Sequence, residues 1–215
     1  MEGDLIQVFM RAPELGRVKT RLAKDLGPEQ ALAFYRSCVV HTLAMAEGAG
    51  IPWEVCFCPS HQGGMIREWL GRDISITSQG PGDLGERMAH AMALAFDRGA
   101  SRVILVGTDI PGIRSRHFEA ALAWLGKRDV VLGPSRDGGY WLIGFNRASF
   151  DPGVFLGMEW SHPQVARDTR IRIRQAGLSL GELSPLQDVD TMSDLRRFEA
   201  QGGCLPGFSL NDPGK

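Results

Sequence analysis

Five cations, Arg11, Arg17, Lys19, Arg21 and Lys24, fall in one segment directly after the first apolar run of the chain, against the two acids Glu14 and Asp25. Gly16 permits a tight turn and close backbone approach there. Lys19 and Arg21 can then project toward an anion. A hydrogen bond to a charged group contributes about 1.5–3 kcal/mol net, so two or three such contacts hold a di- or triphosphate. The segment is not a P-loop, because GxxxxGK[ST] is absent. A merely solvated basic loop fits the same residue types.

Three acidic motifs could complement it. Asp109 follows the apolar run Val103-Ile104-Leu105-Val106-Gly107 and precedes Ile110-Pro111. A carboxylate at the end of a buried strand must be solvated, paired or bound to a metal. Magnesium, or manganese in its place, takes one or two carboxylates together with phosphates and water. An aspartate turning the chain before Pro111 is the plainer account. In Gln187-Asp188-Val189-Asp190-Thr191, Asp188 and Asp190 share a face if the segment is extended. Helix capping explains one of them equally well. Ser135-Arg136-Asp137-Gly138-Gly139-Tyr140-Trp141 reads as a tight turn between two strands. Its second glycine and its aromatic pair also suit the approach of a planar or sugar-like group.

The elements that must position these residues alternate. Strands are expected at Leu5–Met10, Trp53–Cys58, Asp73–Thr77, Arg102–Gly107, Asp129–Leu132 and Gly139–Phe145. Helices are expected at Pro28–Glu47, His61–Leu70, Asp83–Arg98, from Ser115 as cap to Leu125, at Pro163–Ala176, and from Thr191 or Ser193 to near Gln201. Apolar spacings of three and four mark the helices, Leu32, Tyr35, Val39, Leu43 and Ala46 on the first long one. Such alternation predicts one α/β domain over residues 1–215: three layers, α/β/α, with a mostly parallel central sheet. The tail from about Gly202, rich in Gly and Pro, is expected to be partly irregular. In a sheet of this kind ligands bind beyond the carboxyl ends of the strands, where the basic loop and Asp109 both fall.

Composition narrows the partners. With 24 Lys and Arg against 25 Asp and Glu, the chain lacks the basic excess of a nucleic-acid or membrane-surface binder. Its four cysteines, Cys38, Cys56, Cys58 and Cys204, form no CxxC pair, which argues against zinc. Cys56 and Cys58 read as small buried residues of one strand. No secretory leader is read before the first strand, and no apolar run reaches the ~18 residues of a membrane helix. A cytoplasmic enzyme with small-molecule substrates is expected.

Five segments in register resemble a known family: FMRAPELGRVKTRLAKDLG at 9–27, GPGDLGERM at 80–88, VILVGTDIPGI at 103–113, VVLGPSRDGGYWLIGF at 130–145 and LQDVDTMSDL at 186–195. It is the bacterial family of GT-A-like nucleotide-diphospho-sugar transferases, commonly labelled glycosyltransferases. Guanylyltransferases acting on phospholactate and on molybdopterin are its distant relatives. The resemblance implies a phosphate-gripping loop with Lys19 and Arg21 and a metal-binding Asp109. It implies Asp190 as a second metal ligand and a substrate-side turn at Asp137-Gly138-Gly139. The further substrate-binding positions are Arg11, Pro13, Gly16, Gly85, Arg87, Tyr140 and Trp160. Two departures stand out. Arg11 replaces the usual Lys, and His162 follows Trp160-Ser161 where Thr is more usual.

Two reactions follow from this resemblance. Glycosyl transfer from a nucleotide sugar, favoured by the family label, needs a base near the acceptor hydroxyl, with Asp137, Glu159 and His162 as candidates. Nucleotidyl transfer from a nucleoside triphosphate to a phosphorylated acceptor needs none, because the nucleophile is already an anion; metal, Lys19 and Arg21 supply charge neutralisation. A non-catalytic nucleotide-binding module is the third reading, disfavoured by the joint presence of Asp109, Asp190 and the basic loop.

Overall fold

The computed structural model describes residues 3–210. Seven strands form one sheet: β1 (Gly3–Arg11), β2 (Trp53–Cys58), β3 (Ile76–Ser78), β4 (Ala100–Gly107), β5 (Val130–Pro134), β6 (Tyr140–Asn146) and β7 (Leu180–Glu182), in the order β3-β2-β1-β4-β6-β5-β7. All neighbours are parallel except β6, which runs antiparallel to both β4 and β5. The helices are α1 (Ala23–Leu26), α2 (Pro28–Gly48), α3 (Gly63–Leu70), α4 (Leu84–Asp97), α5 (Ser115–Leu125), α6 (Val165–Gln175) and α7 (Met192–Ala200).

Alternation along the strands builds the layers. Ile6, Val8, Val55, Phe57, Ile104 and Val106 face one side, with Tyr35, Val39 and Leu43 of α2 and Phe118 of α5. Leu5, Phe9, Cys56, Val103, Leu105 and Ile143 face the other, with Met88 and Met92 of α4 and Ile173 of α6. The sheet is thus covered on both faces, which is why β1 is buried from Leu5 to Met10 without a break. Gln7 lies within that run, 1 % exposed, and its amide donates to Glu54 Oε1 at 2.9 Å and to the Ala91 carbonyl at 2.8 Å. The expected α/β/α architecture is the one observed.

A third cluster lies off the sheet. Leu22, Phe34, Cys38, Val189, Leu195 and Leu205 are buried together, with Phe208 edge-on to Phe34 at 5.1 Å. The start of the expected irregular tail is therefore packed against α2 as far as Leu210; residues 211–215 of that tail lie outside the described ones. The cluster also fixes the chain beside Lys19 and Asp190.

Several boundaries move. β3 covers Ile76–Ser78 rather than Asp73–Thr77. The strand β7 falls where the sequence pattern weakens and was not expected. Ser115 is not the cap of α5: Arg114 occupies that position, and the Ser115 hydroxyl instead donates to the Met45 carbonyl at 2.8 Å, tying α5 to α2. The caps of α4 and α7 are reciprocal boxes, Asp83 with Glu86 and Thr191 with Asp194. Among the described residues no helix is long and apolar enough to cross a membrane.

Candidate active site

A cleft of about 1020 Å³ opens beyond the carboxyl ends of β1 and β4. That is at the upper end of the range of small-molecule pockets. The loop after β1 contributes Arg11, Arg17, Lys19, Thr20 and Arg21 to its lining; Thr108, Asp109 and Asp190 form the floor; Arg87 joins from α4, tied through Gln79 to the end of β1; and the far wall, from the β5–β6 turn and the segment after β6, carries Asp137, Gly139, Tyr140, Trp160 and His162.

The basic loop is pinned by its apolar members. Val18 and Leu22 are buried, while Arg17, Thr20 and Arg21 stay exposed. Lys19 lies between these anchors in a left-handed backbone conformation, φ 45°, unusual for a residue with a side chain. Its side chain is 3 % exposed. The ammonium lies 2.6 Å from Asp109 Oδ1, 2.9 Å from Asp190 Oδ1 and 2.7 Å from the Val189 carbonyl oxygen. Burial works against this charge, but the Asp109 and Asp190 carboxylates outweigh it and hold the ammonium above the usual lysine range. Arg21 stands farther off, 3.8 Å from Asp190 Oδ2, with its side chain mostly in solvent.

One expectation changes here. Asp109 and Asp190 do converge, since both touch one nitrogen. Lys19, however, is turned onto these carboxylates instead of into open cleft. An ammonium has three protons, and three oxygens already surround this one. The donor set itself, two carboxylates and one carbonyl, is the hard oxygen chemistry that magnesium prefers, and the residues fit such an ion. No group of three or more His, Cys, Asp or Glu side chains gathers for a metal among the described residues. Phosphate and water would have to complete the shell.

The other anticipated residues divide into two groups. Arg11 lines the cleft; its backbone N–H donates to the Tyr35 hydroxyl, which in turn donates to the Arg11 carbonyl, each at 2.9 Å. Arg87 lines it as well, donating to Gln79 Oε1 at 3.3 Å and to the Asp83 carbonyl at 3.1 Å. Pro13, Gly16, Gly85 and Gly138 do not line it. Gly16, φ 72°, turns the basic loop. Gly85 lies in the first turn of α4 under Trp160, where a Cβ would come within 2.4 Å of the Phe155 carbonyl oxygen and 2.7 Å of the indole. Gly138, φ 95°, lies against Pro163, whose carbonyl oxygen a Cβ would meet at 1.9 Å. Both glycines therefore set the far wall by allowing close contact, and neither meets a ligand through a side chain.

The three candidate bases are not equivalent. His162 Nδ1 accepts from the Gln164 N–H at 3.2 Å, and Nε2 lies 3.0 Å from the Glu159 carbonyl oxygen. One neutral tautomer satisfies both contacts, and both ring nitrogens are thereby committed to their own loop. Asp137 accepts from the Ser135 hydroxyl and from the Gly139 N–H at 2.9 Å, which holds it at the tip of the β5–β6 turn. Glu159 is exposed and is not among the cleft-lining residues. Asp188 does not line the cleft beside Asp190; burial, then the Asp137 carboxylate, pushes it up to about 6.

Sequence reasoning passed over Gln79 and Tyr35. Gln79 is 3 % exposed and donates to the Met10 and Cys56 carbonyls at 3.1 and 2.9 Å, which leaves its Oε1 to orient Arg87. Its signal was a polar residue at the carboxyl end of a short strand. Tyr35 was read only as part of an apolar helix face.

Residues 42–162 match the family described as uncharacterized protein conserved in bacteria (DUF2064), more than half of the chain. The chain belongs to this family. A crystal structure of a candidate nucleotide-diphospho-sugar transferase from Desulfovibrio desulfuricans G20 is similar at 35 % identity and a TM-score of 0.93, covering 98 % of this chain and 94 % of the other. A phosphoenolpyruvate guanylyltransferase of Sphaerobacter thermophilus is 27 % identical over 205 residues, 93 % of this chain and 94 % of the relative. A Mycobacterium tuberculosis protein solved as a manganese complex shares the fold at 15 % identity and a TM-score of 0.55, covering 92 % of this chain and 97 % of the other. This family member is an enzyme of the transferase superfamily that carries the nucleotide-diphospho-sugar transferase fold.

Proposed function

We propose that the chain is a metal-dependent nucleotidyltransferase that moves a nucleoside monophosphate from a nucleoside triphosphate to a small phosphorylated acceptor. One observation carries the reading: a cluster of arginines, Arg11, Arg17, Arg21 and Arg87, borders a cleft whose floor is the Lys19–Asp109–Asp190 triad. A triphosphate and an anionic acceptor together need that many cations. In this reading Arg11, Arg17 and Arg21 bind the donor phosphates and Arg87, oriented by Gln79, holds a further anionic group. A divalent ion held by Asp109 and Asp190 supplies further neutralisation of phosphate charge when bound. Tyr140 and Trp160 form the apolar wall that excludes water. The acceptor oxygen forms a bond to the α-phosphorus as the bond to the bridging oxygen breaks, and pyrophosphate leaves with that electron pair. No base is required.

The similarity to the guanylyltransferase of Sphaerobacter thermophilus supports this choice. Glycosyl transfer, the reading the sequence favoured, has the support of the relative from Desulfovibrio desulfuricans. It would have to draw its base from Asp137, because His162 is committed to its own loop. We propose further that residues 1–215 act as one domain, since the cleft draws on segments from Phe9 to Asp190, and that the protein works in the cytoplasm.

A thermal-shift screen tests the donor class. Nucleoside triphosphates with magnesium should stabilise the protein by about 2.7 kcal/mol at 100 times their dissociation constant. Stabilisation by nucleotide sugars alone would reject nucleotidyl transfer.

A further inference from the structure

We infer that Lys19 is the resident cation of the Asp109–Asp190 site and that it yields this position when the donor arrives, so that nucleotide and divalent ion bind as a coupled pair. The inference rests on the nucleotidyltransferase reading above and adds an order of events to it.

The position of the ammonium is the first argument. Three oxygens converge on Lys19 Nζ: Asp109 Oδ1 at 2.6 Å, the Val189 carbonyl at 2.7 Å and Asp190 Oδ1 at 2.9 Å. Magnesium–oxygen bonds are about 2.1 Å, so the same three atoms need close in by less than an ångström to hold the ion.

Valence is the second. All three ammonium protons are in use, and none is left for a phosphate. Lys19 can meet the donor only by leaving the carboxylates. It is one of the residues lining the cleft, next to Arg17, Thr20 and Arg21, so rotation about its side-chain bonds carries Nζ toward the donor phosphates.

Charge is the third. A single ammonium faces two carboxylates, and the nearest further cation, Arg21, is 3.8 Å from Asp190 and mostly solvated. With Lys19 seated the site keeps a net negative charge; with Lys19 withdrawn, the two carboxylates match a divalent ion. An ion entering beside the seated ammonium meets like charge, and an ammonium leaving without replacement strands two carboxylates. Each change is unfavourable alone and favourable together, so donor phosphates that draw the ammonium away favour the ion, which is a coupling free energy between two ligands.

The test is the affinity for Mn²⁺, read as the ion retained with the protein in equilibrium dialysis, because a triphosphate chelates free Mn²⁺ by itself. It is measured on the full chain and on Lys19→Met, Lys19→Gln and Lys19→Arg, each with and without a nucleoside triphosphate. Native-like circular dichroism in at least one neutral variant secures the comparison. Coupling energies of this kind are typically roughly 5–150-fold. The neutral variants should therefore bind Mn²⁺ about tenfold or more tightly than the parent without nucleotide, while Lys19→Arg, which keeps the charge, stays weak. Adding the triphosphate should tighten Mn²⁺ binding in the parent and have a smaller effect in the neutral variants. Unchanged or weaker Mn²⁺ affinity in a folded neutral variant overturns the exchange, and the metal-dependent reading survives if the parent still takes up the ion with the triphosphate. No protein-bound Mn²⁺ in any variant, with or without nucleotide, overturns both.

Discussion

Val189 donates its backbone N–H to the carbonyl oxygen of Asp109 at 3.1 Å. This single bond ties the loop after β4 to the segment before α7 and brings two distant aspartates to one point. Val189 is fully buried beside Leu22, and Leu22 follows the basic loop. One apolar cluster therefore positions the lysine and both carboxylates.

Leu22→Ala should thus disturb more than stability. A buried Leu→Ala change costs about 2–5 kcal/mol. Chemical denaturation should show that loss, and nucleotide affinity in the remaining folded protein should fall too. Parental affinity would mean that the cluster supports the fold alone.

Asp109→Asn should leave the fold intact, because its side chain is 55 % exposed. Magnesium-dependent nucleotide binding should be lost. Turnover should fall by about 10²–10³-fold, the usual effect of removing one electrostatic stabiliser of a transition state. Titration with nucleotide in the presence of magnesium checks it, and equal affinity in mutant and parent would remove Asp109 from the site.

Gly138→Ala should act on the far wall. It places a Cβ on the Pro163 carbonyl oxygen and demands φ 95° of a residue with a side chain. Overpacking of this kind costs about 1–3 kcal/mol. Acceptor KM should rise more than donor KM, since the displaced loop carries Trp160 and His162. Unchanged melting and kinetics would show that the contact yields freely.

Acid should weaken the fold through His41. Burial, opposed by the Ile113 carbonyl and reinforced by Arg114, holds His41 below the ordinary histidine value of about 6.5. Both states are neutral above that value. As pH falls through it the unfolded chain gains a proton that the folded one resists, and stability is lost until the folded value is passed. His117 shifts the same way, so His41→Gln should reduce the loss and not abolish it. Urea denaturation at about pH 7.5 and 5.5 compares the two proteins; an identical loss in both would assign the effect elsewhere.

Much of this was legible in the residues. The apolar run at 103–107 announced a buried strand, and the loop after it placed Asp109 at the ligand edge of the sheet. Asp137-Gly138 announced the β5–β6 turn because a tight antiparallel connection needs a residue at positive φ. What stayed hidden depended on partners distant in sequence. β7 is three residues long and exists only by pairing with β5. Gln79 and Tyr35 act through main-chain carbonyls and amides that no side-chain pattern reveals. Lys19 reads from the sequence as a residue facing a substrate anion, whereas the anions it meets in the structure are those of its own chain. Spacing along the sequence cannot show that, because the contact is made by packing at Leu22 and Val189.

The central claim is the bond that breaks. The protein is incubated with magnesium, a nucleoside triphosphate and a panel of small phosphorylated acceptors, and separately with nucleotide sugars, and the products are separated and weighed by mass spectrometry. Nucleotidyl transfer predicts pyrophosphate in equal amount to an acceptor enlarged by a nucleoside monophosphate, with both products formed about 10²–10³-fold more slowly by Asp109→Asn. Free nucleoside diphosphate from a nucleotide sugar, with no pyrophosphate from any triphosphate, would contradict it.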